Sequence, residues 1–159
     1  MNFDSFFDQA EKNNLTIEVD SESISYGDTL GNEALFQLPL ISLIILLLSK
    51  DKRKPFVSEI GQLVGECIEI SMPGFKGSSQ HIGWSANLRV RCVKALSFLE
   101  CAELVLVHNR KGRIAITPLG KKLVNKAINN DDNLSYNLAH IARSYRNICV
   151  SKSLEMELK

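Results

Sequence analysis

Residues 38–48 read Leu-Pro-Leu-Ile-Ser-Leu-Ile-Ile-Leu-Leu-Leu, and no other stretch restricts the fold as much. Wound as an α-helix, this run is apolar on every side, so it must be covered all round. Pro39 suits a first helical turn, where its missing N–H costs nothing, which places a helix near 35–49. Eleven residues cannot span a bilayer, which needs about 20. Two coverings would satisfy the helix: the rest of a small domain, or the surface of another subunit. The sequence leaves both open, with Leu43 and Leu47 as interface candidates on this helix.

A chain of 159 residues can bury roughly two-thirds of its unfolded surface, so it needs no metal or disulfide to hold a core. The charged turn Lys50-Asp51-Lys52-Arg53-Lys54-Pro55 ends the first helix. Val57, Ile60, Val64, Cys67 and Ile68 then recur at helical spacing to about Ile70. Residues 72–79 form a turn-rich loop that lacks the order of a phosphate-binding loop. Ser85 is an N-cap for a third helix over 85–101, with Leu88, Cys92, Ala95, Leu96 and Leu99 on one face and Asn87, Arg91 and Lys94 on another. Val90 and Val93 lie away from the apolar stripe and face either another helix of the domain or a partner. Trp84, just before this helix, is either a hydrophobic staple or a stacking group.

After Cys101 the apolar period changes to two. Residues 104–108 and 114–117 flank Asn109-Arg110-Lys111-Gly112-Arg113, the pattern of a β-hairpin with a basic tip. Pro118 restarts helix. Asp131 and Asp132 offer caps for a last helix, whose Leu134, Leu138, Ile141, Tyr145 and Ile148 step by four and three. That stripe suits docking on another helix, with Leu138, Ile141 and Tyr145 as partner-interface candidates and Arg143 and Arg146 at its rim. Near the start, residues 2–13 suggest a short helix and 15–26 some strand character.

Charge is unevenly spread beneath a net of +1. Residues 1–33 carry eight acids against Lys12, whereas residues 71–130 carry ten Lys and Arg against Glu100 and Glu103. The basic middle has the composition of a polyanion-facing surface, and the acidic arm is its internal competitor. Cys67, Cys92, Cys101 and Cys149 show no C-x-x-C spacing, and His81, His108 and His140 sit at no metal-ligand spacing from them. They read as reduced cysteines of a cytoplasmic protein, with no metal and no cofactor. The acidic N-terminus does not have the form of a secretory signal. No paired carboxylates, nucleophile elbow or phosphate loop points to an enzyme.

Three helices followed by a basic hairpin, over residues 35–128, resemble a winged-helix domain. Residues 102–120, ending in Thr117-Pro118-Leu119-Gly120, look like its wing and the step into the next helix. The expected fold is therefore α+β and mainly helical. It comprises an acidic arm (1–33), a winged-helix domain (34–128) and a C-terminal interaction helix (129–159). The resemblance implies that helix 85–101 enters a major groove, with Asn87, Arg91 and Lys94 facing DNA and Arg110, Lys111 and Arg113 touching phosphate or a minor groove. The layout of the whole chain also resembles the small middle components of bacterial ABC-three-component systems, the Lamassu type of anti-phage defence among them. That resemblance implies a non-catalytic subunit partnered with an SMC-like ATPase and an effector. The competing expectation is a dimeric winged-helix transcription regulator that binds double-stranded DNA.

Overall fold

The computed structural model describes residues 12–13, 38–72 and 85–158. Apart from Lys12 and Asn13, the acidic arm lies outside them, as do the loop 73–79, His81 and Trp84. The described chain is mainly helical with a small antiparallel sheet, so it is α+β in class. Five α-helices are described: α1 (Leu38–Lys50), α2 (Ile60–Ser71), α3 (Ala86–Cys101), α4 (Pro118–Ile128) and α5 (Asn133–Glu157). A 3₁₀ turn, Val57–Glu59, leads into α2, and strands β1 (Val105–Leu106) and β2 (Ala115–Ile116) separate α3 from α4.

The greasy run becomes the axis of the domain. Helix α1 packs against α2, α3, α4, α5 and β2, and Ile41, Ile44, Ile45 and Leu48 have no exposed surface. Fully burying each such side chain stabilises the fold by about 1.5–3 kcal/mol. Leu47 is buried as well, and Leu43 is half-buried against the same cluster. Of the two coverings open to this helix, its own chain supplies the cover. Leu43 and Leu47 accordingly belong to the domain's interior packing and not to a free face.

The same holds for the C-terminal stripe. Asp132 caps α5 through a reciprocal box: the Ser135 N–H donates to Asp132 Oδ1 at 2.8 Å, and the Asp132 N–H donates to Ser135 Oγ. From there α5 lies across α2, α4 and α1. Leu138, Ile141 and Tyr145 are buried in the common core, while Arg143 and Arg146 stay exposed at its margin. The Tyr145 hydroxyl donates to the Arg53 carbonyl, and the Ser144 and Ser71 hydroxyls meet at 2.9 Å. The spacing of Leu138, Ile141 and Tyr145 suggests a partner surface, but here they close the chain's own interior. A stripe of apolar residues does not say which helix it will meet, and α2 has an unmatched apolar face of its own.

The hairpin is small and well anchored. Val105 pairs with Ile116 and Leu106 with Ala115. A third chain segment joins it from between α1 and α2. Phe56 bridges Arg113, the Val57 N–H donates to the Gly112 carbonyl, and the Ile114 N–H donates to the Pro55 carbonyl, both hydrogen bonds at 3.0 Å. The step into α4 is fixed by Thr117, whose Oγ1 accepts from the Gly120 N–H and donates to the Glu103 carbonyl. Gly120 has no substitute here. A Cβ would overlap the Leu104 carbonyl oxygen and come within 2.9 Å of Ile116 Cγ1.

Because the stripe on α5 seals the common core, replacing both Leu138 and Ile141 with Asp should unfold the whole domain. Two uncompensated charges would be buried at several kcal/mol each, against a typical total stability of about 5–15 kcal/mol. Circular dichroism should show loss of helix throughout, and retention of a folded 38–128 core would contradict the placement.

Candidate partner-binding surface

Helix α3 is where the local sequence and the expected function come into conflict. Ser85 caps it by accepting from the Leu88 N–H, and Leu88, Cys92, Ala95, Leu96 and Leu99 bury its inner face. At its end, the Leu104 N–H donates to the Leu99 carbonyl and the Glu103 N–H to the Glu100 carbonyl. This double closure puts Glu103 in the left-handed region at φ 56°, a place usually held by glycine.

The outer face is apolar. At about 100° per residue, Val90, Val93, Ser97 and Cys101 fall within a sector of about 80° opposite the buried stripe. Val90 is 53% exposed and Val93 61%; Phe98, also exposed, lies about 80° round the helix from Val90, on the side of Asn87, Arg91 and Lys94. The Ser97 hydroxyl turns inward to the Val93 carbonyl at 3.1 Å, which leaves the sector still less polar. A helix that reads base edges presents donors and acceptors there, because each base pair is distinguished by its own pattern of them. This sector presents the methyl groups of Val90 and Val93, and the donors of the helix, Asn87, Arg91 and Lys94, lie to one side of it.

The six residues expected to face DNA divide into three sets. Asn87 and Arg91 are paired, with Asn87 Oδ1 accepting from Arg91 Nε at 3.3 Å, and Lys94 is exposed beside Val90. Arg110 and Lys111 are exposed at the hairpin tip, in a turn that Asn109 holds by accepting the Lys111 N–H at 2.6 Å. Arg113 is occupied within the chain. Its guanidinium lies 4.3 Å from the centroid of the Phe56 ring and donates to the Lys54 carbonyl at 2.8 Å. It ties the third segment to the hairpin, a structural duty that the basic run does not reveal.

Sequence reasoning also misses Phe98. It stands four residues after Lys94 and seven after Arg91, a spacing that places it on the side of the helix that carries them. Among the described residues, no group of three or more His, Cys, Asp or Glu could hold a metal ion, and no helix is long and apolar enough to cross a membrane. Comparison with family models, curated proteins and solved structures finds no match.

The thiols sort by burial. Desolvation pushes Cys67 up to about 12, with Glu66 and Cys149 adding to the effect, and burial does the same to Cys92. Tyr145 is raised well above the ordinary phenol range, first by burial and then by Cys149. A folded-state value raised above the unfolded one stabilises the fold fully below the unfolded value, and that stability is lost as pH rises towards the folded value. The domain should therefore lose stability progressively above about pH 9, measurable as a falling denaturant midpoint. In the native state Cys101, which is exposed, should react promptly with a thiol reagent, while Cys67 and Cys92 should react only on unfolding. Equal rates at all four thiols would contradict this burial pattern.

Proposed function

We propose that this chain is a non-catalytic winged-helix subunit of a bacterial multi-protein complex, and that α3 meets a protein partner instead of reading a DNA groove. The winged-helix part of the reading is supported by the order of three helices and a hairpin. The segment 55–57 laid along that hairpin adds to it. One observation carries the functional part, namely the exposed apolar sector of Val90 and Val93 on α3, with Phe98 also exposed on the adjoining side. Such a face gains little from a polar groove and much from an apolar counterpart, at about 25 cal/mol for each Å² removed from water. The narrower role, bridging an SMC-like ATPase and an effector in anti-phage or anti-plasmid defence, rests on the resemblance of the chain's layout to ABC-three-component middle subunits.

A contribution from DNA belongs to the same proposal in a lesser part. Arg110 and Lys111 are exposed on a rigid turn, and Lys121, Lys122 and Lys126 are exposed on α4. These lysines and arginines supply sequence-independent attraction to phosphate.

Replacing Val90 and Val93 with Asp should abolish co-purification with the products of neighbouring genes, because charge would enter an apolar contact. The circular dichroism spectrum should be unchanged, since both side chains point away from the core. Undiminished assembly would remove α3 from the interface. For the DNA part, replacing Arg110 and Lys111 with Ala should lower the slope of log K against log salt by about one unit for each phosphate no longer neutralised. Binding with sequence preference that survives both changes would favour a transcription regulator.

A further inference from the structure

A chain that bridges two proteins needs a second surface, and none of the α3 residues lines an open groove on another side of the domain. This groove, of about 610 Å³, runs between residues 53–56 and the C-terminal half of α5. Its two sides differ chemically from the α3 face. Arg53, Lys54, Arg113 and Lys152 line it, and four cations outnumber the two carboxylates, Glu59 and Glu155. Its apolar wall includes Phe56 and Met156, the latter 74% exposed because α5 runs on past the core at that point.

We infer that this groove receives an acidic segment of a partner protein, anchored by a bulky apolar side chain. The inference rests on the bridging role proposed above and supplies its second contact. Charge complementarity selects the occupant: the excess of positive charge calls for carboxylates, and the Phe56–Met156 wall calls for an apolar anchor between them. One cation and the backbone of the groove wall are held in place: Arg113 by the Phe56 ring and the Lys54 carbonyl, and the chain at Arg53 by the Tyr145 hydroxyl, which lowers the ordering needed on binding. A phosphate backbone fits less well. It carries no apolar anchor, and Glu59 and Glu155 would interrupt the continuous positive track that it follows.

The test uses the full chain and a fluorescein-labelled peptide, Glu-Asp-Phe-Asp-Glu-Leu-Phe-Asp-Asp, read by fluorescence anisotropy. The peptide should bind in a salt-sensitive manner. Binding should weaken at least about tenfold in the R53E/K54E variant, and again when the peptide's Phe and Leu are replaced by Ser. Met156→Asp should weaken it by a similar factor. These three side chains are exposed, so the variants should keep the wild-type melting temperature. No binding up to about 1 mM peptide, or binding indifferent to all three changes, overturns the inference. So does a DNA duplex that displaces the peptide and depends on Arg53 and Lys54 while ignoring Met156. The V90D/V93D variant separates the two proposals. It should bind the peptide normally while losing assembly, so failure at either surface is seen without the other.

Discussion

Everything in this domain is arranged around a helix whose apolar side chains point to every side and demand cover. An ordinary amphipathic helix needs cover on one side, and α1 needs it on all sides, which obliges a chain of modest length to surround it. The other four helices and the sheet are the enclosure. This accounts for the fate of α5: a long apolar stripe that could dock on any suitable helix is consumed at home, against α2, α4 and α1. Apolar side chains left exposed include Val90, Val93 and Phe98 on α3 and Leu154 and Met156 near the end of α5, along with Ile70, Leu106, Leu119 and Tyr136 elsewhere.

The polar groups show how tightly that enclosure is joined. Arg113, which the basic run presents as a cation for phosphate, spends its planar head on a ring and a carbonyl, and so fastens the chain between α1 and α2 to the hairpin. Thr117 and Gly120 pack α4 against the end of α3 with no room for a methyl group. The buried Ser49 hydroxyl is used locally, its Oγ donating to the Ile45 carbonyl at 2.7 Å. Basic residues in a hairpin are thus ambiguous by themselves, since a guanidinium serves a phosphate and a neighbouring carbonyl equally well.

Most of the element order is legible in the sequence. Ser85 and Asp132 cap the helices that their positions announce, Pro118 opens α4 behind Thr117, and the change of period after Cys101 marks the hairpin, because capping and alternation are local physics. Long-range partners are not legible. The pattern of Leu138, Ile141 and Tyr145 is equally compatible with a partner and with α2, and only the folded chain distinguishes them. The pairing of Phe56 with Arg113, far apart along the chain, leaves no periodic trace. At the candidate site, Val90 and Val93 stand out of pattern in the sequence itself and the side of Phe98 follows from helical spacing, whereas the groove beside α5 requires the three-dimensional arrangement.

Leu104 makes a junction of two helices. Its N–H closes the end of α3 on the Leu99 carbonyl, and its own carbonyl accepts the Thr117 N–H at the start of α4. Gly120 lies against the same carbonyl, so the junction leaves no space for a side chain there. The outer sector of α3 is thus carried on a helix held twice, along its buried face by α1 and α2 and at its end by Leu104, and the position of Val90 and Val93 is set by the core behind them.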